Sequence, residues 1–142
     1  MIPNREAIYA ALFAKVSAAA HFVTTSRRLR HWGDVKPGEQ PALFQSQVNE
    51  SASPKLGYPT KWTMNVRLYV YVQSPQNSPA PSSALNPLLD AVEAALAPDP
   101  VTNRQTLNGA CYHCAINGTI ETDEGTLGVQ SVAIIPLTIE YV

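Results

Sequence analysis

Two cysteines in 142 residues are too few for a disulfide framework. Charged residues make up only 15% of the chain, and the formal net charge is -1. That balance lacks the basic excess of a nucleic-acid-binding domain and gives no attraction to an acidic membrane. Charge this thin is less than a free monomer usually carries, so part of the surface is expected to be covered by other subunits. No run of about 18 apolar residues occurs, so no membrane span is expected. GxSxG, HExxH and a phosphate-cradling glycine loop are all missing, and no carboxylate stands at a telling spacing from a histidine. The chain is therefore expected to be no enzyme, with no catalytic residue, no metal and no cofactor.

What is present is a long alternating stretch, Lys61 to Val72. Trp62, Met64, Val66, Leu68, Val70 and Val72 alternate with Thr63, Asn65, Arg67, Tyr69 and Tyr71. Successive strand residues point to opposite faces, so this is a strand with one apolar face and one polar, aromatic face. Such a strand belongs to an antiparallel sheet covered on one side.

Two helices could supply the cover. Pro3 suits a first helical turn, and Ile8, Leu12, Phe13 and Val16 recur at helical spacing up to about Ala20. Thr24, Thr25 and Ser26 end this helix. Glu6 and Lys15 spoil a signal-peptide reading of the alanine-rich stretch, so synthesis in the cytoplasm without export by this segment is expected. A second helix is expected from Asn86 as N-cap and Pro87 in the first turn, with Leu85, Leu88, Leu89, Val92 and Leu96 on one face and Pro98 and Pro100 beyond it. The length suits one domain, residues 1–142. The fold expected is α+β: a mainly antiparallel sheet with two helices packed on one face.

The remaining strands are expected at Ala42 to Val48, Ala110 to Glu121 and Val129 to Val142, with the turn between the last two at Thr122 to Gly125. Asn49 to Thr60, rich in Ser and Pro, reads as a long loop, and long loops carry function more often than cores do. Pro136 cannot donate to a ladder, so the last strand should lie at an open edge or carry a bulge. Leu137, Ile139 and Tyr141 would then form an edge needing a neighbouring subunit as cover.

Cys111-Tyr112-His113-Cys114 is the first motif to weigh. In a strand, thiols three residues apart point to opposite faces and cannot converge on zinc, and no second ligand pair exists. Arg27, Arg28, Arg30 and His31 form the densest positive segment, better suited to salt bridges with a neighbouring subunit, or to simple solvation, than to nucleic acid.

Taken in order, SRRLRHWGDV, QPALFQ, the long strand, a proline-rich linker, NPLLDAVEAAL, QTLNGACYHCAINGTIETDEG and VQSVAIIPLTIEYV resemble the tail terminator (tail completion) proteins of long-tailed bacteriophages. The resemblance spans roughly residues 4 to 142. It implies an α+β subunit without catalytic residues that assembles as a hexameric ring in the virion neck. The ring caps the tail tube, ends its polymerisation and provides the surface that joins the head. Its partners would be further copies of the chain, the tail tube protein and head–tail connector proteins. DNA would pass through the opening without sequence-specific contacts. The candidate subunit or partner contacts are Arg27, Arg28, Arg30, Asn49, Glu50, Lys55, Leu56, Tyr58, Arg67, Tyr69, Tyr71, Leu137, Ile139 and Tyr141. A related head–tail joining protein, or a small ligand-binding module using the Thr63, Arg67, Tyr69, Tyr71 face, stays open as an alternative.

Overall fold

The computed structural model describes residues 4–142, so the expected role of Pro3 lies outside the described residues. The fold is α+β, with a mixed, mostly antiparallel six-stranded sheet. Its elements are α1 (Arg5–Ser17), β1 (Thr24–Ser26), β2 (Ala42–Lys55), β3 (Tyr58–Gln73), α2 (Asn86–Ala95), β4 (His113–Ile116), β5 (Glu121–Leu127) and β6 (Gln130–Tyr141). The strand order is β1-β2-β3-β6-β4, and β5 also pairs with β6.

The alternation that marks β3 also sets the core. Met64, Val66, Leu68 and Val70 are buried, and their register partners Ile139, Leu137, Ile135 and Ala133 on β6 are buried with them. Ile8, Tyr9, Leu12 and Val16 of α1 belong to the same cluster, as do Leu85, Val92 and Leu96 from α2 and its ends. Trp62, expected as core, is only partly buried. At the end of β3 its ring stacks on Tyr141 at 6.3 Å, with the Arg5 guanidinium 4.9 Å from it.

The opposite face is more apolar than its alternation suggests. Val35, Ala42, Phe44, Tyr71 and Val132 form a second small cluster, with Trp32 and Tyr69 packed on it. Two bonds fasten the 27–40 segment over it, Tyr71 Oη to Arg30 O at 2.8 Å and Gln130 Nε2 to Trp32 O at 3.1 Å, while Gln40 Nε2 to Val35 O at 3.0 Å holds the segment to itself.

Several local expectations are corrected. Thr24–Ser26, expected to end the first helix, instead forms β1, paired in parallel with Ala42–Phe44. Asn86 is not the cap of α2. Leu85 takes that place at φ -80, already helical, because the chain enters from the 3-10 turn Pro81–Ser83.

The proposed loop at 49–60 is a β-hairpin. Strand pairing continues to Lys55↔Tyr58 around the two-residue turn Leu56-Gly57, where only Gly57 takes a positive φ. The prolines that argued against a strand, Pro54 and Pro59, fall at the register shift beyond Ser53, where ladder bonds are not required. Thr122 to Gly125 is no turn either. It lies inside β5, and the chain reverses at Gly128-Val129, between paired Leu127 and Gln130, with Gly128 at φ 87.

The strand expected over Ala110 to Glu121 is broken into β4 and the start of β5, and Pro136 explains the break. In an antiparallel ladder a residue's N–H and C=O face the same neighbour. Pro136 O accepts from Asn117 N at 3.0 Å, so its missing donor faces the gap between β4 and β5. Gly118 covers the proline ring there at φ 120; a Cβ on it would lie 3.1 Å from Pro136 Cγ. Thus β6 is not an edge. It has β3 on one side and β4 and β5 on the other.

Candidate assembly surfaces

The most exposed ordered feature is the hairpin arm. Pairing with β6 stops at Trp62↔Tyr141, so beyond that pair β2 and β3 have only each other. The arm reaches about four residues past the sheet, roughly 13 Å. Residues 51–59 are all exposed, and Leu56 at the tip is 101% exposed. Lys55 Nζ sits 4.6 Å from the Tyr58 ring centroid, so the tip presents a lysine, a leucine and a tyrosine together.

The base of the arm is anchored to α1. Arg5 Nε donates to Glu50 Oε1 at 2.7 Å, and Tyr9 Oη donates to Glu50 Oε2 at 3.1 Å. Gln45, buried on the same strand face, donates from Nε2 to Tyr9 O at 3.0 Å. Burial, then the Glu50 carboxylate, pushes the Tyr9 hydroxyl far above its ordinary range, so it stays a donor. Glu50 is thus an internal anchor, which leaves the arm beyond it as the free part. Asn49, also a candidate contact, accepts from Asn65 Nδ2 at 2.6 Å across the strands.

The basic segment is mostly paired within the chain. Arg27 makes a two-pronged contact with Glu6, at 2.6 and 3.1 Å. Arg30 makes one with Glu39, at 2.9 and 3.1 Å. The Arg30 bond, with a backbone bond from Lys36, pulls the Glu39 carboxyl down to about 2. Arg28 is exposed and has no salt-bridge partner among the described residues.

On the second sheet face Arg67 is exposed between Ser46 and Pro136, and Tyr69 is half-buried. Beside them lies a shallow apolar hollow lined by Leu29, Trp32, Tyr69, Tyr71, Val132 and Ile134. Four expected contact residues are not on the surface. Tyr71, Leu137, Ile139 and Tyr141 are each at most 3% exposed, because β6 is central and Tyr71 lies under the 27–40 segment. They have no side-chain surface to offer a partner.

Cys111 precedes β4 and so is not in a strand, contrary to the geometry first assigned to the motif. The chemistry is nonetheless poor for a thiolate. Burial pushes Cys111 up to about 11 and Cys114 up to about 12. His113 Nδ1 is already occupied, accepting from Gln105 N at 3.1 Å. Among the described residues no group of His, Cys, Asp and Glu is placed to hold a metal ion.

What the residue-by-residue reading missed is the Arg5–Tyr9–Glu50 anchor, since it joins residues 41 to 45 apart in the sequence. No local pattern signals it. In comparisons with known proteins, no family model matches the sequence and no curated protein matches it.

Proposed function

We propose that this chain is a structural, non-enzymatic protein of the neck of a long-tailed bacteriophage, a tail terminator (tail completion) subunit. In this reading six copies close into a ring on the end of the tail tube. The ring stops tube growth, offers the joining surface to the head connector and lets DNA pass without reading its sequence. The ordered succession of sequence segments supports it, as does an α+β subunit with a mostly antiparallel sheet and two helices. The structural observation that carries it is the hairpin arm. A two-stranded hairpin is marginal by itself in water, yet this one extends past the sheet with an apolar tip and no cover from its own chain. Reach of that kind suits contact with another protein better than it suits a fold.

The test is localisation in assembled particles. Labelled copies of the chain should appear as a six-fold ring at the head-proximal end of the tail tube, and particles lacking it should carry tails of uncontrolled length. A ring elsewhere in the neck, with tail length unchanged, would favour a head–tail joining protein. Absence from particles would refute both. The apolar hollow beside Tyr69 favours one second reading, a small ligand-binding module. That reading requires a chain that stays monomeric at every concentration.

A further inference from the structure

The charges of this chain are segregated along the sequence, and the topology turns that into a segregation across the sheet. Nine of the ten lysines and arginines lie in residues 1–67, together with only four of the eleven acids. The remaining seven acids lie beyond, with Arg104 as the one base. The first half builds β1 and β2 at one edge of the sheet, α1, which is bonded to β2 through Glu50 and Gln45, and the beginning of the central strand β3. The second half builds α2, β4 and β5, at the other. Glu93 of α2 and Ile120 just before β5 line one cavity, which puts α2 beside that second edge.

Pairing within the chain does not erase the asymmetry. The salt bridges Arg5–Glu50, Arg27–Glu6 and Arg30–Glu39 are all internal to the first half. They use up three of its four acids and leave Lys15, Arg28, Lys36, Lys55 and Arg67 without a salt-bridge partner among the described residues. In the second half Glu140 meets Lys61, leaving Asp90, Glu93, Asp99, Glu121, Asp123 and Glu124 without a salt-bridge partner among the described residues.

Both edges also have open backbone. Among the described residues β1 pairs only with Ala42–Phe44, so the outer side of β2 beyond Phe44 has no strand partner, and β5 pairs only with β6. Exposed apolar residues mark each edge: Val48 and Leu56 on the basic side, Ile120 on the acidic side. An open edge with apolar side chains is a surface that another chain covers.

We infer that the protein associates with itself head to tail, the basic β1–β2 edge and arm of one copy docking on the acidic β5–α2 edge of the next. The occupant is a second copy because each edge is the electrostatic complement of the other, and one chain cannot join its own opposite edges. Such a contact is heterologous, and its repetition yields a ring if the rotation closes. The inference deepens the proposed function and rests on it for closure at six, but not for the contact.

Two variants of the full chain test it. Arg28→Glu with Lys55→Glu makes both edges acidic; Glu93→Lys with Glu121→Lys makes both basic. All four side chains are exposed, and circular dichroism with thermal melting verifies that the variants fold. Sedimentation velocity across a concentration series, at low and high salt, reads association. Wild type should associate, less so in high salt. Each variant alone should associate at least about tenfold more weakly. An equimolar mixture should recover association, because each acidic edge then finds a basic one. A wild type that stays monomeric at low salt, variants that associate as wild type does, or folded variants that fail to recover on mixing would overturn the contact. A six-fold neck ring built from either variant alone would overturn the contact and leave the proposed function standing. Recovery on mixing, with the chain missing from virions, would do the reverse.

Discussion

Shortening the arm separates its contribution to folding from its contribution to assembly. Replacing Ser53–Lys61 by Asn-Gly keeps the Ala52↔Trp62 pair and closes it with a two-residue turn. None of the nine removed residues is buried, and all but Thr60 are exposed. Two side-chain interactions are lost. The Lys61–Glu140 contact at 3.5 Å joins a half-exposed lysine to a partly exposed acid, and such pairs contribute about 0–1 kcal/mol. The Lys55–Tyr58 contact contributes about 0.5–1 kcal/mol at an exposed site. Against these, closing a connection some four times shorter returns about 1 kcal/mol of closure entropy. The net change should lie within about 1 kcal/mol of zero. Urea unfolding followed by far-ultraviolet circular dichroism measures it, and the slope should barely change because almost no buried surface is removed. In particles, the shortened chain should fail to terminate tails, read as tail length by electron microscopy. A loss above about 3 kcal/mol would show that the arm holds the sheet together. Normal tails joined to heads would remove the arm from the mechanism.

Leu68 and Arg67, adjacent on β3, should behave oppositely. Leu68→Ala leaves a cavity at a fully buried site and should cost about 2–5 kcal/mol, while Arg67→Ala, on the exposed face, should stay within about 0.5 kcal/mol; equal losses in denaturant titrations would refute the face assignment. Glu39 should titrate at about 2, against an ordinary 4.5, in carboxyl-carbon NMR. Because its folded value is depressed, its interaction stabilises the fold above about pH 4.5 and is lost as pH falls through about 2. Arg30→Gln should raise that value partway, since the Lys36 backbone bond remains, and its destabilisation should fade toward pH 2; an unshifted Glu39 would contradict the pairing. Gly118→Ala should lower stability by about 1–3 kcal/mol, because φ 120 is strained for any L side chain and the new methyl meets Pro136; an unchanged melting midpoint would refute this account of the strand break.

The strand at Lys61 to Val72 was legible because period-two alternation is a local property, and packing on either side does not alter it. The hairpin arm was not, because Ser, Pro and Gly are read by composition. Pro54 and Pro59 exclude a strand only if their donors are needed, and a register shift removes that need. The second core behind Phe44 and Tyr71 was hidden for another reason. Trp32 and Val35 lie in a stretch with no period at all, and only the chain's return over the sheet brings them there. Among the candidate contacts, Leu56 and Tyr58 stand on the surface because they flank the tip of the arm. Leu137, Ile139 and Tyr141 do not, since alternation alone cannot tell whether a strand is at an edge or in the middle.

That last error changes where the sheet has open edges. Pro136 cannot donate to a ladder, and in the sequence alone that marks an open edge. The structure meets the same constraint differently: it opens a gap in the neighbour instead of exposing the strand. β4 ends at Ile116, Gly118 covers the proline ring, and β5 begins at Glu121 on the far side of the gap. β6 is thereby paired on both sides along most of its length, and its apolar alternation is consumed inside the monomer. Open edges are displaced outward, to β2 on one side and β5 on the other. Because the chain's bases precede β6 and most of its acids follow the β3 strand, those two displaced edges carry opposite charge. A single proline, by splitting its neighbour into two short strands, thus decides which edges of the sheet stay open.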